Sequence, residues 1–234
     1  EAYALDSTNV DVQLGFGIYN YYAAVIPEEY EFVKPFMIFF PEGNRQEGLR
    51  QLTLAAKSGK FSKTEAAYFL MTSYYRYEKN YKKAHELADS LISAYPKNPV
   101  FNRYKGRIYV RQGNYDKAKI VFENVLKNFV EKAPGYSEQF AREANYYIAG
   151  YYRSKNEIDS AIVNYEQCIQ LSKIVDREEE SGFMINACLA KAKLLLEKGN
   201  KTDAINLFKQ ILDMKEYRDS HTQAESYLEN LGAD

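Results

Sequence analysis

The chain has no tryptophan, only two histidines and only two cysteines among its 234 residues. Each scarcity removes a class of chemistry. His85 lies in AHELAD and His221 near the C-terminal end, and neither has a nucleophile nearby. His85 and Asp89, one helical turn apart, suit a surface hydrogen-bonded pair. Cys168 and Cys188 belong to no CxxC and to no His-containing ligand set, which gives a zinc site little support. Both fall on apolar helix faces, where a reduced thiol packs as a small hydrophobe; a disulfide between them is the alternative for an exported chain. There is no HExxH, no GxSxG and no glycine-rich phosphate loop. The GxG of LGFGIYN sits inside a helical pattern with no strand before it, which fails the context of a dinucleotide site. No apolar run reaches the roughly 18–20 residues needed to span a bilayer. A net charge of −1 gives no global field toward nucleic acid or an anionic membrane. These absences argue against an enzyme and call for no cofactor and no metal.

What is present is a folded-protein composition, 46% apolar and 27% charged, far from the disordered class. Tyrosine is abundant, and its ring can pack between helices while its hydroxyl stays at a wet edge. The sequence begins at Glu1 rather than Met, as expected of a processed product or a piece of a longer chain, with any signal peptide outside it. Four stretches vary one pattern: YEKNYKKAHELADSLI (77–92), VRQGNYDKAKIVFENVL (110–126), YRSKNEIDSAIVNYEQCI (152–169) and LLEKGNKTDAINLFKQIL (195–212). Each ends one helix, turns at Asn or Gly-Asn, and starts another. Ala84, Ala118, Ala161 and Ala204 hold the same place in each second helix, followed four residues later by Ala88, Phe122, Tyr165 or Phe208. The alanines recur at intervals of 34, 43 and 43 residues. A period near 34 with this content predicts stacked helical hairpins, a solenoid that offers a long surface to another molecule.

Apolar spacing predicts helices over 8–24, 44–58, 63–78, 81–95, 99–112, 115–130, 136–154, 158–173, 177–198, 201–214 and 219–231, with no convincing β-alternation. Ser62 with Glu65, and Asp176 with Glu179, have capping-box spacing. Gly59, Pro96, Gly113 and Gly199 follow apolar-periodic runs as stop signals. The two long intervals exceed 34 by nine residues, about 13 Å of helix at 1.5 Å per residue. The additions fall at 133–141 and 176–184 and predict longer first helices and connectors in the last two hairpins.

The repeat resembles the tetratricopeptide (TPR) repeat. Residues 99–132 fit best, with Gly106 and Ala118 at the small eighth and twentieth positions and Tyr109, Gly113, Tyr115 and Phe122 at the other markers. Residues 65–98 supply Tyr75, Tyr81, Ala84 and Pro96; residues 142–175 supply Ala149, Tyr152, Ala161 and Tyr165; residues 185–218 supply Ala192, Gly199, Ala204 and Phe208. Small residues let the two helix backbones approach, and aromatics fill the gaps between hairpins. An N-terminal split repeat is expected over 8–60, with Gly15 and Gly48 in the small-residue roles and an insertion at 27–42 that carries three prolines. The expected fold is an all-α, right-handed α-α superhelix of about five hairpins, a single domain over 1–234, closed by a capping helix at 219–231. The run LGFGIYNYYAAVIP, the aromatic, Pro-containing stretch after it, and GNRQEGLRQLTLAAKSGKFSKTEAAYFL also resemble bacterial TPR proteins. These are related to the fungal and animal family that includes the inclusion-body clearance protein of the mitochondrial outer membrane. That resemblance covers roughly residues 10–100 and implies a non-enzymatic helical-repeat protein, with no site residues to transfer.

In TPR stacks the inner wall is formed mainly by first helices. Mapped onto this chain, the wall includes Phe69, Arg76, Tyr77, Arg103, Arg107, Arg111, Tyr146, Arg153, Leu189 and Lys193, with Glu143 and Glu197 among them. Arg103, Arg107 and Arg111 are spaced four apart, on one side of one helix. Lined-up guanidiniums suit carboxylates, which they hold by paired hydrogen bonds. This partly resembles the carboxylate-clamp TPRs that grip acidic C-termini, although the clamp asparagines are not evident and Ser73 holds one comparable place. The alternative is a solvated face whose cations pair with Glu. In the insertion, Val33, Phe36, Met37, Ile38, Phe39 and Phe40 are too apolar for an idle loop. They are read either as folding back to cap the first hairpin or as a membrane-surface or partner contact. The leading function is a scaffold that holds a protein or peptide segment, acidic in the groove reading and not nucleic acid. A membrane-peripheral protein of envelope or lipid homeostasis is the alternative. Tyr, Lys and Asn richness points to a bacterial source and to the cell envelope, with the cytoplasm as the other location.

Overall fold

The computed structural model describes residues 9–233, in which twelve α-helices and no strand occur. They are α1 (Val12–Glu29), α2 (Lys34–Met37), α3 (Arg45–Ser58), α4 (Lys63–Arg76), α5 (Tyr81–Ala94), α6 (Pro99–Arg111), α7 (Tyr115–Val130), α8 (Glu138–Ser154), α9 (Ile158–Val175), α10 (Gly182–Glu197), α11 (Lys201–Leu212) and α12 (Ser220–Leu231). The chain divides into two compact units, one ending at Lys97 and one starting at Asn98. In the first, α1 packs on α3, α3 on α4, and α4 on α5. In the second, α6 to α12 pack each on the next. Each unit is thus a stack of helical hairpins, the TPR-type all-α architecture.

One turn geometry is built four times, which is why four stretches of sequence read alike. Lys79, Gly113, Asn156 and Gly199 adopt left-handed backbone, with φ of 52°, 72°, 59° and 81°. The N–H that follows each donates back to the carbonyl of Tyr74, Tyr109, Tyr152 or Leu195 and closes the first helix. Asn80, Asn114 and Asn200 then cap the second helix, accepting from the backbone N–H of Lys83, Lys117 and Asp203. In the third copy Asn156 takes the left-handed place, and Glu157 stands at the cap without a side-chain bond.

Packing follows the small-then-aromatic order. Ala84, Ala118, Ala161 and Ala204 are all buried. A Cβ on Gly106 would lie 2.6 Å from the Phe122 ring, so only glycine admits that ring. Phe122 in turn stacks on Tyr147 of the next hairpin at 4.8 Å, and Phe208 on Tyr227 at 4.9 Å. The long intervals are divided as expected. Helices α8 and α10 have 17 and 16 residues against 13 in α6, and the remainder lengthens the connectors.

Several local expectations are corrected. Residue 8, the expected helix start, lies outside the described residues. Helix α1 continues past 24 to Glu29, with Pro27 in its last turn, so part of the expected insertion is helical. Gly15 has open space around it. The close approach falls to Gly17, where a Cβ would meet the Leu52 backbone nitrogen at 2.9 Å, because Gly17 shares the buried face of Tyr21 and Val25. Gly48 keeps its expected role, since a Cβ there would lie 2.5 Å from the Tyr21 backbone nitrogen. Ser62 does not form a capping box. Its hydroxyl and N–H, with the N–H of Phe61, donate to the Asp11 carboxylate. Those bonds, Ser62's foremost, hold the Asp11 pKa below its ordinary value. Asp176 caps no helix start either. It ends α9, accepts from the Ser181 N–H at 2.9 Å and pairs with buried Arg142 at 2.5 Å. Helix α10 therefore begins at Gly182, capped by Ser181, and 176–181 is a connector.

Candidate functional site

In the second unit α6, α8, α10 and α12 touch one another in order, so the first helices and the final helix make one continuous wall. The second helices α7, α9 and α11 each pack against the helices on either side of them in this wall. Two groups of cations on this wall meet different fates. Arg107 grips Glu143 with two parallel hydrogen bonds, Nε to Oε1 and a terminal nitrogen to Oε2 at 2.5 Å. Arg103 approaches the same carboxylate at 3.6 Å and lies over the Phe140 ring at 5.1 Å. Glu143 is only 1% exposed, so this is a buried, bidentate charge pair. Arg103 and Arg107 thus meet a Glu, as in the alternative reading of a solvated face, but the carboxylate they meet is buried rather than solvated. Arg111, in the last turn of α6, is exposed.

The other group lies on α8 and α10. Tyr146 and Arg153 are seven residues apart on one face of α8. The Tyr146 ring meets Phe183 edge-on at 5.3 Å and Tyr165 at 5.9 Å. Burial raises the pKa of Tyr146 and pushes that of Tyr165 up to about 12, and Arg153 bears on both hydroxyls. Lys193 donates to the Gln223 side-chain oxygen at 2.7 Å and sits 5.3 Å from the Tyr227 ring. Burial first, then repulsion from Arg153, lowers its pKa. Leu189 is buried one turn before Lys193. In the first unit Phe69 and Tyr77 join Tyr22 in an aromatic cluster, at 6.2 and 6.0 Å, while Arg76 is exposed.

The insertion is fastened at both ends and bare in the middle. Arg45 donates to Glu28 at 3.0 Å and to Glu78 at 2.8 Å, and the Tyr21 hydroxyl donates to the same Glu78 oxygen at 2.7 Å. The Tyr19 hydroxyl donates to the Pro41 carbonyl. Between these anchors Phe36, Ile38, Phe39 and Phe40 remain exposed, Phe39 by 84% and Ile38 by 82%. The fold-back reading is therefore corrected for these four side chains, which do not cover the first hairpin, while Val33 and Met37 are half-buried. Cys168 and Cys188 are free, buried thiols, and burial pushes both up to about 12. In the connector before α10, Glu179 pairs with the Lys215 ammonium and Glu180 accepts the Lys215 backbone N–H. Among the described residues no group of His, Cys, Asp and Glu could hold a metal ion, and no helix is long and apolar enough to cross a membrane.

Sequence reasoning missed two members of the α8–α10 group. Gly150 lies between Tyr146 and Arg153 on the same face of α8, and nothing lies within 4 Å of where its Cβ would be. A mid-helix glycine directly after the expected small residue Ala149 was the available signal. Arg218 comes from the loop before α12 and holds no repeat position, so no pattern marked it.

Solved structures of similar fold include YrrB, described as a TPR protein with an unusual peptide-binding site: 12% identical, covering 97% of this chain and 96% of that one, TM-score 0.59. MamA from Desulfovibrio magneticus RS-1 is 18% identical over 80% of this chain and 93% of its own, TM-score 0.56. TTC0263, a thermophilic TPR protein of Thermus thermophilus, is 18% identical over 84% and 94%, TM-score 0.53. At these identities the likeness is one of fold. A comparison with curated proteins finds no match. Tetratricopeptide-repeat sequence models match residues 105–167 and 185–217. A model of the Iml2/Tetratricopeptide repeat protein 39 family matches residues 7–134, more than half of the chain, and the chain belongs to that family.

Proposed function

We propose that this protein is a non-catalytic scaffold that holds a segment of a protein partner against the first-helix wall of its second unit. Membership of a TPR family and a fold shared with TPR proteins support an interaction role in general. The observation that carries the finer reading is the grouping of Tyr146, Arg153 and Lys193 on adjacent first helices, where an aromatic and two cations come together and, among the described residues, neither cation forms an ion pair, although Asp219 bears on Lys193. Such a wall combines ring contact with charge-assisted hydrogen bonding, the two contributions that dominate peptide recognition. A photo-cross-linking amino acid at Tyr146 tests it, with one at exposed Val163 on α9 as the control. Cross-linked polypeptide is expected from position 146 and not from 163; equal yields from both, or none from 146, would remove the reading.

A second reading rests on the insertion. Four large apolar side chains exposed within five residues form a wedge suited to a bilayer interface. Glu28, Glu29, Glu31 and Glu42 flank it against Lys34, so a zwitterionic surface suits it better than an anionic one. Co-sedimentation with phosphatidylcholine vesicles, comparing the wild type with a Phe36→Ser, Phe39→Ser, Phe40→Ser variant, decides it. Equal and negligible binding of both ends that reading.

A further inference from the structure

The open face above Gly150 has no packing explanation. Glycine within a helix is less stable than alanine, and here no neighbour requires it, in contrast to Gly106 and Gly48. The result is a notch of bare backbone on α8, bounded by Tyr146 one turn before and Arg153 one turn after. Lys193, on the neighbouring α10, bears on Arg153.

A third cation is placed on its rim by a built loop. A Cβ on Gly182, the first residue of α10, would lie 2.5 Å from the Tyr217 ring, so the ring rests directly on the α10 backbone. The Tyr217 N–H donates to the Ser220 hydroxyl at 3.0 Å. The next residue, Arg218, is held at φ +57°, a left-handed conformation that is unfavourable for a non-glycine residue. Its guanidinium and that of Arg153 both bear on the Tyr146 hydroxyl. Arg153, Lys193 and Arg218 make no ion pair among the described residues, and Asp219 is the one carboxylate that bears on Lys193. Arg153 and Arg218 thus come together at Tyr146, and Arg153 and Lys193 bear on each other, with Asp219 beside Lys193 and Glu197 one turn after it on the same helix.

We infer that the notch over Gly150, between Tyr146, Arg153, Lys193 and Arg218, is a binding site for an acidic peptide segment. The inference rests on the scaffold reading and specifies its partner. The peptide backbone lies where a side chain at position 150 would stand. Its Asp or Glu carboxylates meet the guanidiniums, which accept planar anions by paired hydrogen bonds. Tyr146 supplies the apolar contact.

Selection of a random dodecapeptide phage library on the whole chain tests this, followed by binding of the enriched peptides to Gly150→Leu and to Arg153→Glu/Lys193→Glu. Circular dichroism confirms that each variant is folded. Gly150→Leu fills open space, so it blocks the notch with no change of charge. The expected result is enrichment of Asp/Glu-rich peptides that lose at least tenfold in affinity on both variants. Enrichment of neutral or basic peptides, or of peptides that bind Gly150→Leu as well as wild type, overturns this site and leaves the scaffold reading standing. No enrichment of any peptide overturns both.

Discussion

Arg103 and Arg107 on α6, and Arg153 and Lys193 on α8 and α10, occupy the same kind of wall in the same unit. Only the first pair forms ion pairs among the described residues. Glu143 reaches across from α8 and consumes the α6 guanidiniums in a buried, bidentate contact. The α8–α10 cations meet an amide, aromatic rings and an open notch instead. One region has spent its charge on its own fold, and the other keeps it directed at the recess. A row of cations in a repeat sequence is thus no guide to function until the intramolecular acids are placed.

The largest effect should come from breaking the paired side. Glu143→Ala removes the buried carboxylate that half-buried Arg107 grips and should lower unfolding free energy by about 3–5 kcal/mol, read by urea denaturation. Adding Arg107→Met should recover much of that loss, since an apolar replacement removes the charge that Glu143 had balanced. A simple additive loss would show that Arg107 is not the coupled partner.

Two glycines sharpen the contrast between filled and open walls. Gly106→Val drives side-chain atoms into the Phe122 ring and should cost about 1–3 kcal/mol. Gly150→Ala meets nothing and should stabilise by about 0.5–1 kcal/mol. Thermal melts of both variants check the pair, and destabilisation by Gly150→Ala would mean the notch is occupied by the protein's own structure.

The smallest effect is one of pH. Lys193 is held below the ordinary lysine value of 10.5 by burial and by Arg153, opposed by Asp219, with the Tyr227 ring alongside. A bound carboxylate favours the ammonium, so affinity for an acidic peptide should be full below the Lys193 pKa and decline as pH rises through it, beginning below 10.5. Lys193→Arg should flatten that decline in a fluorescence-anisotropy titration.

What the sequence could reveal depended on range. The turns at Lys79–Asn80, Gly113–Asn114 and Gly199–Asn200 are local, set by one left-handed residue and one capping side chain, and the repeat made them visible. Ala118 and Phe122 were legible because packing demands the same sizes at each period. Asp11 capping the turn at Phe61 and Ser62 was not, because that bond spans some fifty residues and competes with a local box of the right spacing. Gly15 and Gly17 were confused because both lie on one helix and only tertiary packing chooses the buried face. At the candidate site, Tyr146, Arg153 and Lys193 followed from repeat positions. Gly150 and Arg218 did not, since an empty space and a loop residue carry no period.

Isothermal titration of one Glu-rich dodecapeptide against Arg153→Gln and Arg103→Gln separates the two regions most directly. Each substitution removes one positive charge from the same wall. A loss of tenfold or more in affinity for Arg153→Gln, with Arg103→Gln within about twofold of wild type, is the expected result, tenfold being about 1.4 kcal/mol. Equal losses, or a larger loss for Arg103→Gln, would contradict the assignment of binding to the unpaired cations.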